Sequence, residues 1–212
     1  MKKLIILVSS MFFVTEAFAH HFYNKFPITL KGYSGSKTNS VSYSGQIARH
    51  VLHDSLKKLA GKGDGGSNAA ALEAQMMMYF KGSKEDLDII APKTKGDFKI
   101  KQTTLNEISK GKNLSGKTYK GIINGWPGQM TGPEVIEFMI KKAAKTKGGF
   151  DPSTGYNYPQ LISKFAMGAV FYNQSVDNYL DEKMTADNKP NNKPYKDGAH
   201  YTGKEHSWDE GF

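Results

Sequence analysis

The stretch PQLISKFAMGAVFYNQSVDNYLDEKM, Pro159 to Met184, decides the fold class. Leu161, Phe165, Ala169, Tyr172, Val176, Leu180 and Met184 recur at spacings of three and four, the period that lines side chains along one face of an α-helix. Few helix breakers interrupt the run before Asp187, so this is the longest helix the sequence predicts. Just upstream, Asp151 to Tyr158 reads as a turn. Before it, Thr131-Gly132-Pro133-Glu134 has the spacing of a capping box, with proline tolerated in the first turn. Val135, Phe138 and Met139 continue that helix toward Gly148-Gly149.

Further outward the same period returns. Ile47, Val51, Leu56 and Leu59, with Leu52 beside them, form a stripe between Ser44 as N-cap and Gly61 as stop. Ala69 to Lys81 favours helix through Ala, Leu, Glu, Gln and the run Met76-Met77-Met78. Between Gly82 and Gly121 the pieces are shorter: a brief helix from Ser83-Lys84-Glu85-Asp86 ended by Pro92, an alternating Phe98-Lys99-Ile100-Lys101 that is a strand or merely extended, and a turn or two of helix over Thr104 to Lys110. Asn124-Gly125-Trp126-Pro127-Gly128 is a rigid turn, and Asn188 to Gly203 a long polar loop. No internal repeat and no strand series are visible. The class is mainly α, a helical bundle-like domain with long irregular loops.

Composition narrows the function. Among the 212 residues there is no Cys, which excludes a disulfide scaffold, thiolate metal sites and cysteine nucleophiles. Arg49 is the only arginine. Arginine supplies the bidentate fork that reads phosphate and guanine, so its scarcity speaks against sequence-specific nucleic-acid binding despite the net charge of +9. A lysine-rich surface suits an anionic envelope polymer, and it equally serves solubility.

The first residues read as an address. Met1-Lys2-Lys3 is a positive start, Leu4 to Val14 an apolar stretch short for a bilayer, and Ala17-Phe18-Ala19 a small-x-small cleavage site. Residues 1–19 are therefore expected to be a removable signal peptide, and the mature chain to be periplasmic or extracellular, without a transmembrane segment. Residues 20–42, rich in Tyr, Ser, Gly, Thr and Asn, read as an extended arm, and 43–212 as the helical domain. Ser207-Trp208-Asp209-Glu210 has capping-box spacing and announces a helix that Phe212 would cut after one turn, so the domain is expected to be truncated at its C-terminus.

Candidate ligands are few. His50, His53 and Asp54 fall on neighbouring helix surface at spacings of three and four, and imidazole with carboxylate suits zinc or iron. His206, Asp209 and Glu210 could converge with His200 around the last loop. Ordinary packing explains each set as well. The adjacent His20 and His21 would form a new N-terminus able to bind copper or nickel. Catalytic signatures are lacking: there is no H-E-x-x-H, no G-x-S-x-G and no Walker loop, and Gly61 to Gly66 follows no strand. Asp86, Asp88, Glu107, Glu134 and Glu137 are carboxylates without a legible pairing.

Tyr43-Ser-Gly-Gln-Ile-Ala-Arg-His50, Gly111-Lys-Asn-Leu-Ser-Gly-Lys-Thr-Tyr-Lys-Gly121, Asn124-Gly-Trp-Pro-Gly128 and Glu205-His-Ser-Trp-Asp-Glu210 carry a resemblance from about Tyr33 to Phe212. The chain resembles the bacterial envelope proteins grouped as domain of unknown function 4856, which implies an exported, largely helical protein. That group is more distantly similar to imelysin-like helical bundles associated with iron uptake. The imelysin arrangement G-x-H-x-x-E has no clear match here: His206 with Asp209 and Glu210 comes nearest and lacks the glycine, so no functional residue carries over. The expectation is a ligand- or metal-binding or interaction module of the cell envelope. Its metal would be iron or zinc and its ligands His50, His53, His206, Asp209 and Glu210. The alternatives are an imelysin-like metal-dependent peptidase and a structural protein binding anionic polymers.

Overall fold

The computed structural model describes residues 26–89, 102, 104–110, 113–184 and 192–212. The expected signal over 1–19, the His20/His21 pair and the Phe98–Lys101 stretch lie outside these residues. The helical periods come out as rods: α1 Ser44–Ala60, α2 Ala69–Lys81, α3 Leu105–Ser109, α4 Leu114–Lys117, α5 Gly132–Lys145, α6 Tyr158–Ala166 and α7 Gly203–Gly211. Among the described residues the only sheet is a hairpin of β1 Phe150–Asp151 and β2 Tyr156–Asn157, with Phe150 opposite Asn157 and Asp151 opposite Tyr156. The protein is mainly α.

The chain divides into two compact units. One takes Tyr43–Asp181 and Gly211, the other Met1–Ser42, Glu182–Glu210 and Phe212. In the first, α1 packs on α2 and α6, α2 on α5, and α5 on α6, so these four helices close a ring around one core. Val51, Leu52, Leu56 and Leu59 of α1 meet Met76, Tyr79 and Phe80 of α2, Ile136 and Ile140 of α5, and Ile162 of α6, all buried. Each such side chain contributes about 1.5–3 kcal/mol by leaving water. The methionine run serves this core, with Met76 buried and Met77 and Met78 packed at its edge.

Helix ends follow local chemistry. Glu134 accepts from the Thr131 N–H at 2.8 Å and from its hydroxyl at 2.7 Å, which draws the Glu134 carboxyl below its ordinary pKa. Thr104 and Glu107 form a second capping box, and Asn157 caps α6 by accepting from Gln160 N–H. Gly61 to Ser67 is a turn held by Asp64, whose Oδ1 accepts from the Gly66 and Asn68 N–H groups. One correction falls at the start of α1, whose N-cap is Tyr43 and not Ser44.

Two expectations fail outright. Residues 83–89 form no helix: the backbone there turns outward to tertiary partners, with Leu87 carbonyl accepting from Leu105 N–H, Asp88 carbonyl from the Tyr79 hydroxyl, and Asp88 bridging to Thr104. Ser207 starts no helix either. The reciprocal cap is Thr202 with Glu205, one turn earlier, and Ser207 lies inside α7 with its hydroxyl on the Gly203 carbonyl. The cut-off single turn expected at the end is thus a nine-residue helix.

In the second unit, the described part of the arm, residues 26–42, has no regular structure. It is tied to α7 by the Thr29 hydroxyl donating to Glu205 at 3.0 Å and the Ser42 N–H to Asp209 at 2.7 Å. Among the described residues no helix is long and apolar enough to cross a membrane.

Candidate functional site

Beyond Ala166 the longest helix continues but changes its winding. Met167–Tyr172 and Gln174–Lys183 are π-helical, with hydrogen bonds reaching one residue further than in an α-helix. Single π turns are already uncommon and gather at functional sites. Here the change begins beside Gly168, a glycine in a helix interior, where it costs about 1 kcal/mol relative to alanine. The fold gives no steric reason for it: a Cβ built at Gly168 would meet nothing within 4 Å. A missing side chain that no neighbour requires leaves backbone open to something else.

The segment after α4 is strapped across this helix. The Gln174 amide donates to the Lys117 carbonyl at 3.0 Å, and the Tyr119 N–H donates to the Ala169 carbonyl at 2.7 Å. On its other side Gly132 lets the start of α5 pass close to the strap, because a Cβ there would lie 2.2 Å from the Tyr119 carbonyl oxygen. Lys117 Nζ also lies 5.9 Å above the ring of buried Tyr179.

Between strap and helix runs a groove of about 420 Å³, lined by Tyr119, Ile123, Lys164, Phe165, Gly168, Ala169, Tyr172, Asn173 and Asp177. Ile123, Phe165 and Ala169 are half-buried, whereas Tyr119 and Tyr172 stand 45% and 66% exposed. It is a shallow, open groove, with an aromatic wall and a few polar groups of the kind that small-ligand sites use.

The residues singled out from sequence sit elsewhere. His50 is exposed on α1 and stacks on Phe171 of the π-wound stretch at 4.3 Å and 12°. Burial of the stacked face and then neighbouring His53 lower its pKa, against the pull of Asp54. His53 is buried, edge-on to Phe171, and its Nε2 lies 3.1 Å from the Ser163 carbonyl. A carbonyl only accepts, so Nε2 carries the proton and offers no lone pair to a metal. Its Nδ1 lies 3.5 Å from Asp54.

In the second unit His206 Nε2 pairs with Glu210 at 3.3 Å, one turn along α7, and its ring lies 4.3 Å from that of Tyr195 and 5.0 Å from that of Tyr201. Asp209 is turned to the Ser42 N–H, and burial raises its pKa. His200 packs edge-on against Tyr201. The structure thus brings together His50 with His53, and His206 with Glu210. Among the described residues no group of three or more His, Asp or Glu is placed to hold a metal ion. Of the other carboxylates, Asp86 accepts from Thr104 and Asn106, and Glu137 pairs with Lys81 at 2.9 Å.

Sequence reasoning missed the groove. Its one local signal was Gly168 inside an otherwise unbroken helical run.

With the site in view, the likenesses to other proteins acquire a place. Residues 139–212 match the family model described as Domain of unknown function (DUF4856), a shorter stretch than the Tyr33–Phe212 resemblance. The matched range takes in the helical wall of the groove, Lys164 to Asp177, but not Tyr119 or Ile123. The chain is also similar to a UPF0319 protein of Glaesserella parasuis serovar 5 (strain SH0165), 28% identical over 121 residues that make up 56% of each protein. It therefore spans about half the length of the curated relative it matches. No solved structure matches.

Proposed function

We propose that this protein is an exported ligand-binding module of the cell envelope, and that its ligand occupies the groove beside the π-wound helix. The observation that carries the reading is Gly168: an interior helical glycine with no neighbour to require it, opening on a groove of about 420 Å³. Export rests on the sequence of residues 1–19, whose basic start, apolar stretch and Ala17-Phe18-Ala19 are those of a secretory signal. The mature chain then works in the periplasm or outside the cell.

The test uses Gly168→Phe, whose side chain enters open space and fills the groove. Ligand-observed NMR of the mature chain against a panel of small sugars, amino acids, dipeptides and aromatic acids should find at least one class that binds, with binding lost in the variant. If nothing binds, or if every binder holds to the variant equally well, the groove is not the site.

A further inference from the structure

Resting on that reading, we infer that the groove takes a neutral oligosaccharide, stacked on Tyr119 and Tyr172. The flat face of a sugar ring is a row of C–H bonds and its edge a row of hydroxyls. It therefore needs an aromatic face to lie on and donors and acceptors around it. Tyrosine supplies an apolar ring with a polar tip, and Tyr119 on the strap and Tyr172 on the helix both line the groove and are exposed. The Asn173 amide, the Asp177 carboxylate and the Lys164 ammonium line the same groove and together offer both donors and acceptors. Gly168 lets a ring approach the helix backbone, and the volume exceeds what one hexose needs.

Other ligand chemistries fit less well. Lys164 and Asp177 balance in charge, so the groove gives an anionic polymer no net attraction, whatever the lysines elsewhere do. A lipid tail prefers an enclosed aliphatic pocket, and this groove is flanked by exposed tyrosines. A peptide that binds by strand addition finds no strand edge here, since the long wall is a helix from Lys164 to Asp177, and the dipeptides of the panel test the other peptide modes.

Isothermal titration of the mature chain with cellotetraose, maltotetraose and N-acetylchitotetraose, with polygalacturonate as the anionic comparison, tests the inference. At least one neutral tetrasaccharide should bind. Tyr172→Ala should weaken it roughly tenfold, the upper end of what an aromatic contact supplies. Tyr172→Phe, which keeps the ring, should stay within about threefold, and Gly168→Phe should abolish binding. Tyr172 is exposed, so its variants are expected to fold, and unchanged thermal unfolding checks that.

If no neutral oligosaccharide binds while members of the NMR panel still occupy the groove, the glycan inference falls and the ligand-binding reading stands. Dipeptides binding in place of sugars, or tetrasaccharides indifferent to Tyr172→Ala and Gly168→Phe, overturn it equally. If neither sugars nor panel compounds bind, both readings fall.

Discussion

The two halves of the longest helix differ more than any other neighbouring regions of the molecule. From Tyr158 to Ala166 the chain is α-wound and presents Tyr158, Ile162 and Ala166 to the core, all buried. From Met167 onward it is π-wound, and Met167, Tyr172, Val176 and Leu180 stand exposed, with Val170 and Tyr179 buried instead. The first half is positioned mainly by burial of apolar area and gives the groove only Lys164 and Phe165. The second half forgoes part of that burial, keeps a glycine that weakens a helix, and is tied instead by polar bonds from Gln174 and to Ala169. Where a segment gives up packing for an open, aromatic-walled face, packing alone does not account for it, and that is the ground of the ligand-binding proposal.

That contrast is most sharply broken by truncation in each half. Ile162→Ala should destabilise the protein by about 2–5 kcal/mol, because it opens a cavity in a core that cannot fully collapse. Leu180→Ala, 38% exposed, should cost well under half as much. Urea unfolding of both variants measures the difference, and equal losses would mean that the π-wound half is as much core as the α-wound half. Next in size is the strap. Gly132→Ala sets a methyl 2.2 Å from the Tyr119 carbonyl, a backbone atom that cannot swing aside, and should cost about 1–3 kcal/mol. A thermal midpoint unmoved by this change would show the strap to be loosely held.

The same helix shows how much of the structure is legible from residues alone. Its existence and direction were, as were α1, α2 and α5, since long apolar periods survive any tertiary context. Which of its faces is buried was not. The stripe of Leu161, Phe165, Ala169, Tyr172, Val176 and Leu180 is the more regular one, yet the core takes Tyr158, Ile162, Ala166 and Val170. Two apolar stripes compete there, and packing against α1 and α5 decides between them. Ser83 and Ser207 misled for a related reason. A capping spacing states what a side chain can do, while Leu87, Asp88 and Thr202 show what tertiary bonds and a better cap make of it. The groove stayed hidden because Tyr119 and Tyr172 are far apart in sequence and line one groove only where the strap is bonded to the helix. Histidines drew attention for their chemistry, and the structure sets His53 against a carbonyl and His50 against an aromatic ring.

Smaller changes sharpen the contrast further. Gln174→Ala removes the donor to the Lys117 carbonyl and should cost about 1 kcal/mol, the usual net value of one hydrogen bond. Gly168→Ala should act in the opposite sense, stabilising by about 0.5–1 kcal/mol, because alanine is the better helix former and its methyl meets nothing. Both are read from urea midpoints at constant slope. A destabilised Gly168→Ala would show that the glycine answers to the backbone of the π turn, and would remove the main argument for a ligand.

The faintest expected effect joins α1 to the π-wound half through the His50–Phe171 stack. The stacked, partly buried ring of His50 favours its neutral form, so its pKa lies below the ordinary 6.5. The unfolded chain then binds this proton more readily than the folded one. The corresponding stability is present in full above pH 6.5 and is lost as pH falls through the folded value. His53 at the same stack adds to the depression, and Asp54 opposes it. His50→Gln removes the titrating group. Between pH 7 and pH 5 the variant should therefore lose less stability than the wild type, by a shallow margin because the other face of the ring is solvated. Parallel curves for the two proteins across that window would mean that the stack leaves His50 titrating as it does in the unfolded chain, and that the π-wound half is held to α1 by packing alone.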